Sequence, residues 1–388
     1  MKIALLTREF PPEVYGGAGV HVEHLAAELA SLVDVGVYCF GKPRSSPLVA
    51  ATYQPWELLA ETSEGAALRV MSVDLAMAAG VAGADLVHSH TWYANLGGHL
   101  AKLLHGITHV ATTHSLEPLR PWKREQLGGG YVLSQFCERT GLEGADAIVA
   151  VSHAMREDVL RVYPSLDPAK VSVIFNGVDA NVYRPTASTT TLERLGVDSS
   201  RPMVLFVGRI TRQKGVFHLL RAAPELDPGA QLVLCATAPD TPAIGEEMRA
   251  RVIELQKERK DVIWVDEAVP REGVVELMSH ASVFVCPSVY EPFGLVNVEA
   301  MACAAPVVAT AVGGITEIVR DGETGYLVPL SDDPGAFARA LAARINLLLE
   351  DPARARRFGE AGRHRVEHHF SWPSVARATA DLYTKLLG

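Results

Sequence analysis

Two carboxylates, Glu291 and Glu299, are separated by seven intervening residues in the stretch PSVYEPFGLVNVEAM, residues 287–301. Acidic pairs either act together on one scissile bond or grip one ligand at two points. The apolar run SVFVCPS ends just before Glu291, and GLVNVEAMA carries a helical pattern from about Leu295. Glu291 is therefore expected in the turn at a helix N-terminus, with Glu299 about one turn inside. A fully helical span would separate the two by roughly 12 Å along the axis. Even the paired carboxylates of inverting glycosidases lie closer, at about 6.5–9.5 Å. The spacing favours two hooks on an elongated ligand, with the amides of Phe293, Gly294 and Leu295 adding donors beside the first. An ordinary surface charge is the competing reading of Glu299.

Other loops carry chemistry of a matching kind. In GRITRQKG, Arg209 and Lys214 flank the start of a helix. A fork-shaped guanidinium and a compact ammonium together suit a diphosphate. Arg212, between them, is expected to face solvent. In YGGAGVHVEHL, Gly16, Gly17 and Gly19 stand between a strand and a helix, where backbone can approach an anion closely. The loop lacks the GxGxxG spacing of nicotinamide-binding domains, which speaks against a dehydrogenase. Gly313 and Gly314, followed by Glu317, read as a binding loop, with a merely structural tight turn nearly as good a reading. The segment RPWKREQLGGG places Arg120, Lys123 and Arg124 around Trp122. Such cations suit an anionic ligand, whereas a neutral one would prefer aromatic platforms such as Trp92 or Tyr93; a solvated basic loop is the plain alternative. His114, ending the strand-like HVATTH, reads as structural as readily as functional.

These residues need a scaffold, and the sequence specifies one. KIALLT, DVGVYCF, ADLVHSH, HVATTH, DAIVAVS and KVSVIFNG read as buried strands in the first half. PMVLFVG, AQLVLCAT, DVIWVDE, SVFVCPS, APVVATA and GYLVPL do so in the second. Near-continuous apolar strands alternating with helical patterns mean parallel sheets covered on both faces. The series restarts after the Ser/Thr-rich stretch between Arg184 and Pro202, and both halves begin with strand, loop and helix. The expected fold is α/β, two Rossmann-like doubly wound domains facing each other across a cleft that holds the active site. The expected bounds are 1–184 for the first domain, 185–202 for a linker and 203–370 for the second domain. A final helix, 371–388, caps the second domain or crosses back to the first.

Composition narrows the function further. The chain has 388 residues, too many for one ordinary core, and a formal net charge of −9, which argues against a nucleic-acid partner. The basic run from Ala353, ARARRFGEAGRHR, reads as a solvated helix face. Five cysteines are scattered, never spaced CxxC, and no zinc pattern is present; Cys39, Cys235 and Cys286 lie in apolar strands as expected buried thiols. No metal and no cofactor are expected. Met1 leads directly into a strand, with no signal-peptide pattern, and no apolar stretch approaches a membrane span. A cytoplasmic protein without membrane partners is expected.

Together these motifs resemble retaining glycosyltransferases of the GT-B fold. EPFGLVNVEAM is similar to that group's E-x7-E element, GRITRQKG to its phosphate clamp and NGVD, Asn176–Asp179, to its domain-junction motif. MKIALLTREFPPEVYGGAGVHVEHL, HSHTWYANLGGHL and TTHSLEPLRPWKREQLGGGY resemble bacterial glycogen synthases, above all the short actinobacterial type that includes α-maltose-1-phosphate synthases. The resemblance implies a glucosyltransferase using ADP-glucose as substrate and forming α-1,4 linkages on glucose 1-phosphate or a glycogen-type α-glucan. It implies that Arg209 and Lys214 hold the donor diphosphate and that Glu291, with the amides at Phe293–Leu295, holds the donor sugar. Glu299 would bind the ribose, Gly17 and its neighbours would close over the phosphates, and His114 would lie near the transferred sugar. Two departures stand out: Thr91 replaces the Asp usual in HxHDW, and YGGAG replaces KTGGL. Rival readings are a retaining GT-B enzyme with another small-molecule or lipid acceptor, a nucleotide-sugar epimerase of the same fold, and a binding module without turnover.

Overall fold

The computed structural model describes all residues except 60 and 61. It comprises two compact units: Met1–Gly177 together with Trp372–Gly388, and Val178–Ser371. The division thus falls ahead of residue 184.

In the first unit seven parallel strands form one sheet: β1 (Lys2–Thr7), β2 (Asp34–Phe40), β3 (Val49–Tyr53), β4 (Leu86–His90), β5 (Thr108–Thr113), β6 (Ala147–Ala150) and β7 (Val171–Val173). Their order is β3-β2-β1-β4-β5-β6-β7. β1, β4 and β5 lie in the interior, and Leu5, Leu6, Leu86, Val87, Val110 and Ala111 are each 0% exposed. That double-sided burial explains their unbroken apolar sequence. Strand β3 was not anticipated. It is a half-exposed edge strand, and its pairing with β2 shifts register between Val37 and Tyr38. Helix α1 (Gly17–Leu29) follows β1, and α2 (Trp92–His105) follows β4.

The last long helix of the chain, Trp372–Leu387, belongs to this first unit. It packs on α1, where Trp372 stacks on His24 at 5.1 Å, and the Tyr383 hydroxyl meets His88 Nδ1 at 2.6 Å. Its apolar face, carrying Val375, Ala376 and Tyr383, is buried there.

The second unit holds six parallel strands: β8 (Met203–Arg209), β9 (Gln231–Thr237), β10 (Val262–Val265), β11 (Val283–Cys286), β12 (Val307–Thr310) and β13 (Gly325–Val328), in the order β10-β9-β8-β11-β12-β13. Residues 185–202, expected as a linker, are structured parts of this unit. The short helix Thr190–Arg194 lies against Glu276, whose carboxylate accepts from Leu192 N at 3.0 Å and Ser188 Oγ at 2.7 Å. All five cysteines are buried free thiols.

Both strand orders reverse direction at the centre, between β1 and β4 and between β8 and β11. In doubly wound sheets the loops leaving the carboxyl ends of those two strands splay apart and open a crevice for ligands. Two pairs of loops follow: Arg8–Gly16 with the turn after His90, and Ile210–Gly215 with Pro287–Gly294.

Candidate functional site

In the second unit the predicted clamp and the first glutamate meet at this reversal point. Lys214 Nζ lies 2.7 Å from Glu291 Oε2, and the side chains are 26% and 8% exposed. Ser288 Oγ donates to the same carboxylate oxygen at 3.1 Å. Burial alone would lower the Lys214 pKa, but the Glu291 carboxylate outweighs it and holds the ammonium above its ordinary value. Arg209, at the end of β8, pairs with Asp240. Arg212 turns outward, 44% exposed, to Glu247 at 2.9 Å.

Backbone geometry fixes these loops to each other. Gly215 has φ +63°, and a Cβ there would fall 2.0 Å from the carbonyl oxygen of Pro287. Gly313 has φ +49°, and its Cβ would fall 2.1 Å from that of Glu291. Such conformations and approaches admit glycine alone. Val289 N donates to Gln213 O at 2.9 Å, and Gly314 N donates to Glu291 O at 2.9 Å. The Gly313–Gly314 turn is thereby a buttress for Glu291.

Gly294, at φ +110°, turns the chain into α3 (Leu295–Ala302), so the amides of Phe293–Leu295 stand at a helix N-terminus. Phe293 is itself buried and meets Phe370 edge-on at 5.8 Å. Glu299 is half-buried on α3 and hydrogen-bonded by Tyr183, and burial raises its carboxyl pKa. It is not an ordinary surface charge.

In the first unit the glycine loop already has an acceptor. Glu9 Oε2 accepts from Tyr15 N and Gly16 N, each at 2.8 Å. A Cβ at Gly19 would approach that oxygen to 2.7 Å, so Gly19 makes room for Glu9, while a Cβ at Gly16 meets nothing within 4 Å. Gly17 is the first residue of α1. Gly16 N, one of the loop amides expected to approach an anion, is thus held together with Tyr15 N by a carboxylate the sequence did not single out.

His114 lies beside two histidines from distant segments. Its Nε2 is 3.1 Å from His90 Nδ1, and its ring meets that of His21 edge-on at 4.7 Å. Burial, with smaller contributions from His21 and His88, pushes the His114 pKa well below that of a free imidazole. Asn176, of the NGVD stretch, sets His21 through Oδ1 at 2.7 Å from Nδ1. Thr91 opens α2 with φ +66°, a strained value for a β-branched residue. This strain sits at the position where Asp is usual in the related motif.

The acceptor-side candidates separate. Trp92 is 2% exposed and packs with Ala67, Val70, Leu96 and Cys137, so it presents no open face to a sugar. The Tyr93 ring is tilted by 30° against that of Trp92, with centroids 4.2 Å apart, and the Arg8 guanidinium covers it at 4.2 Å. Lys123 is buried and donates to Gln126; Arg124 is exposed, 5.8 Å above the Tyr131 ring. The basic segment is therefore not uniformly solvated. Arg120 binds Ser115 Oγ at 3.2 Å and Glu117 Oε1 at 3.3 Å.

Glu9, His21, His90, Tyr183 and Asp240 escaped the sequence reading because each acts through a partner that only tertiary structure supplies. The HSH triplet was in view, but nothing in its spacing announced His21 or His114 as neighbours.

Two family profiles match the chain: "Glycosyltransferase Family 4" over residues 15–182 and "Glycosyl transferases group 1" over 188–365. The alpha-maltose-1-phosphate synthase of Mycolicibacterium smegmatis is 54% identical over 390 residues, covering 100% of both chains. D-inositol 3-phosphate glycosyltransferase 2 of Catenulispora acidiphila is 34% identical, covering 78% of this chain and 70% of its own length. Among solved structures, sucrose-phosphate synthase from Thermosynechococcus elongatus superimposes with TM-score 0.84 at 29% identity, over 99% of this chain and 98% of that one. With its two doubly wound units, its match to both glycosyltransferase profiles and its full-length similarity to the M. smegmatis synthase, the chain belongs to the GT-B glycosyltransferases.

Proposed function

We propose that this glycosyltransferase is a retaining enzyme that moves glucose from ADP-glucose to O4 of glucose 1-phosphate, giving α-maltose 1-phosphate and ADP. The observation that carries the reading is the full-length, 54% identity to a protein named alpha-maltose-1-phosphate synthase. A second relative, also named for a phosphorylated small acceptor, favours glucose 1-phosphate over a glycogen-type glucan as the main acceptor. Reaction on an α-glucan is the lesser activity in this reading.

Chemistry follows from where charge develops. As the C1–O bond to the diphosphate breaks, its electron pair passes to the leaving phosphate and positive charge spreads over C1 and the ring oxygen. Preorganised cations facing the departing oxygens lower that barrier. Lys214 and Arg209 take this role, with Asp240 and Glu291 holding each cation in place before the donor arrives. Glu291 then exchanges part of its bond to Lys214 for hydroxyls of the donor glucose, assisted by the amides at Phe293–Leu295. Glu299 and Tyr183 receive the ribose. The acceptor O4 attacks C1 on the face the phosphate leaves, and its proton passes to the leaving phosphate oxygen. The configuration is retained, and no metal takes part. On the acceptor side, His114 lies near the transferred sugar, and Arg124, the exposed cation of its segment, meets the acceptor phosphate.

The test supplies ADP-glucose with glucose 1-phosphate, with glycogen, and alone, and identifies each product by mass. A disaccharide phosphate formed with release of ADP is expected from the first. Turnover on glycogen only, or isomerised nucleotide sugar without acceptor, overturns the reading. In the Arg124→Ala variant the KM for glucose 1-phosphate should rise while that for ADP-glucose is unchanged; an unaltered glucose 1-phosphate KM removes Arg124 from the site.

A further inference from the structure

Three imidazoles of the first unit converge although they lie on α1, at the end of β4 and just beyond β5. One ring nitrogen from each of His21, His90 and His114 lies within 4.8 Å of those of the other two. Tetrahedral zinc, with Zn–N of about 2.0–2.1 Å, wants about 3.4 Å between ligand nitrogens. Ring rotations and shifts of about an ångström close that gap.

Two features mark the trio as more than packed aromatics. Neither His21 Nε2 nor His90 Nε2 has a hydrogen-bond partner among the described residues, although both side chains are buried, at 2% and 0% exposed. Buried polar atoms are normally satisfied. In addition, Asn176 Oδ1 accepts from His21 Nδ1 at 2.7 Å, which fixes the tautomer that leaves a lone pair on Nε2. A second-shell acceptor of this kind is how metal-ligating histidines are commonly oriented.

We propose that His21, His90 and His114 form a site for a divalent transition-metal ion of the zinc class, and that its occupancy reversibly inhibits the enzyme. Three neutral nitrogen donors and no carboxylate select zinc, cobalt, nickel or copper over magnesium or calcium. The half-buried His114 offers the approach to the ion, and a fourth ligand position remains for water. Inhibition rests on the proposed placement of the transferred sugar beside His114: an ion and its water there take the sugar's space. Binding does not depend on that placement.

The test uses Co2+ and Zn2+ separately on the full chain. One Co2+ per chain, with the visible absorption of a four-coordinate nitrogen site, and displacement by Zn2+ are expected. His21→Ala should abolish the absorption. Asn176→Ala, milder for folding, should weaken Zn2+ binding by about 10–100-fold against a chromophoric chelator. Thermal melts of both variants establish that they fold. The exposed pair His364 and His368, rings stacked at 4.1 Å one helical turn apart, is the rival site. Binding lost in His364→Ala but kept in His21→Ala and Asn176→Ala overturns the proposal, as does the absence of any stoichiometric site. Zn2+ should suppress turnover, with recovery on adding chelator. A site that maps to the trio and leaves turnover unaffected overturns the inhibitory role and counts against the placement of the sugar beside His114.

Discussion

Replacing Lys214 with alanine separates a structural ion pair from a functional cation. The variant strips Glu291, 6% exposed, of its ammonium partner and leaves Ser288 Oγ as a donor at 3.1 Å. Breaking a buried pair from one side costs about 3–5 kcal/mol; with the Lys214 side chain 26% exposed, water reaches the pair and about 2 kcal/mol is the expected loss. For a unit of this size that lowers Tm by about 4–8 °C. Turnover is governed by a different quantity. A cation lost from beside the leaving phosphate should cost about 10²–10³ in kcat, by analogy with a lost oxyanion donor. Adding Glu291→Gln removes the stranded charge, so the double variant should regain most of the Tm and none of the rate. Calorimetry and a coupled assay of ADP release measure the two quantities. Near-normal kcat in Lys214→Ala, with the Tm drop present, would show that the pair only holds the loops together and would refute the assignment.

Two further expectations follow from the same geometry. Gly313→Ala places a Cβ 2.1 Å from Glu291 O at φ +49° and should reduce both stability and kcat, whereas Gly16→Ala, with no atom within 4 Å, should leave the unfolding free energy within about 0.5 kcal/mol of wild type; equal effects on stability would show that buttressing is not what Gly313 supplies. Acid should destabilise the first unit through its buried histidines. Burial, reinforced by His99, lowers His109 to about 3, so between pH 8 and 5 the unfolded chain gains a proton the folded chain refuses. Stability is then fully present above pH 6.5 and falls on acidification, by about 2 kcal/mol at pH 5 from this residue. The stability difference between wild type and His109→Gln should shrink by that amount across the range, and a gap independent of pH would contradict it.

Much of the scaffold was legible because parallel strands buried on both faces must be apolar throughout. Twelve of the strands coincide with runs such as KIALLT and SVFVCPS, and the missing β3, VAATY, is an edge strand whose half-exposed residues leave no such run. The pairing of Lys214 with Glu291 was only partly legible. Each residue stood out at a strand end, but their contact depends on the β8–β11 reversal and on glycines that bring two loops within van der Waals distance. Trp92 misled because an aromatic residue after a strand resembles a sugar platform, while its place at the first turn of α2 drives it into the core. The C-terminal helix announced an amphipathic face without naming its partner, which is α1. Glu9 was hidden because it binds backbone amides, and backbone leaves no trace in residue identity.

A crystal soaked with ADP tests the central claim most directly. Phosphate oxygens of the ADP should lie within about 2.7–3.2 Å of Lys214 Nζ and the Arg209 guanidinium, with the ribose near Glu299. A diphosphate seated on other residues, with Lys214 still engaged by Glu291 alone, would contradict the account.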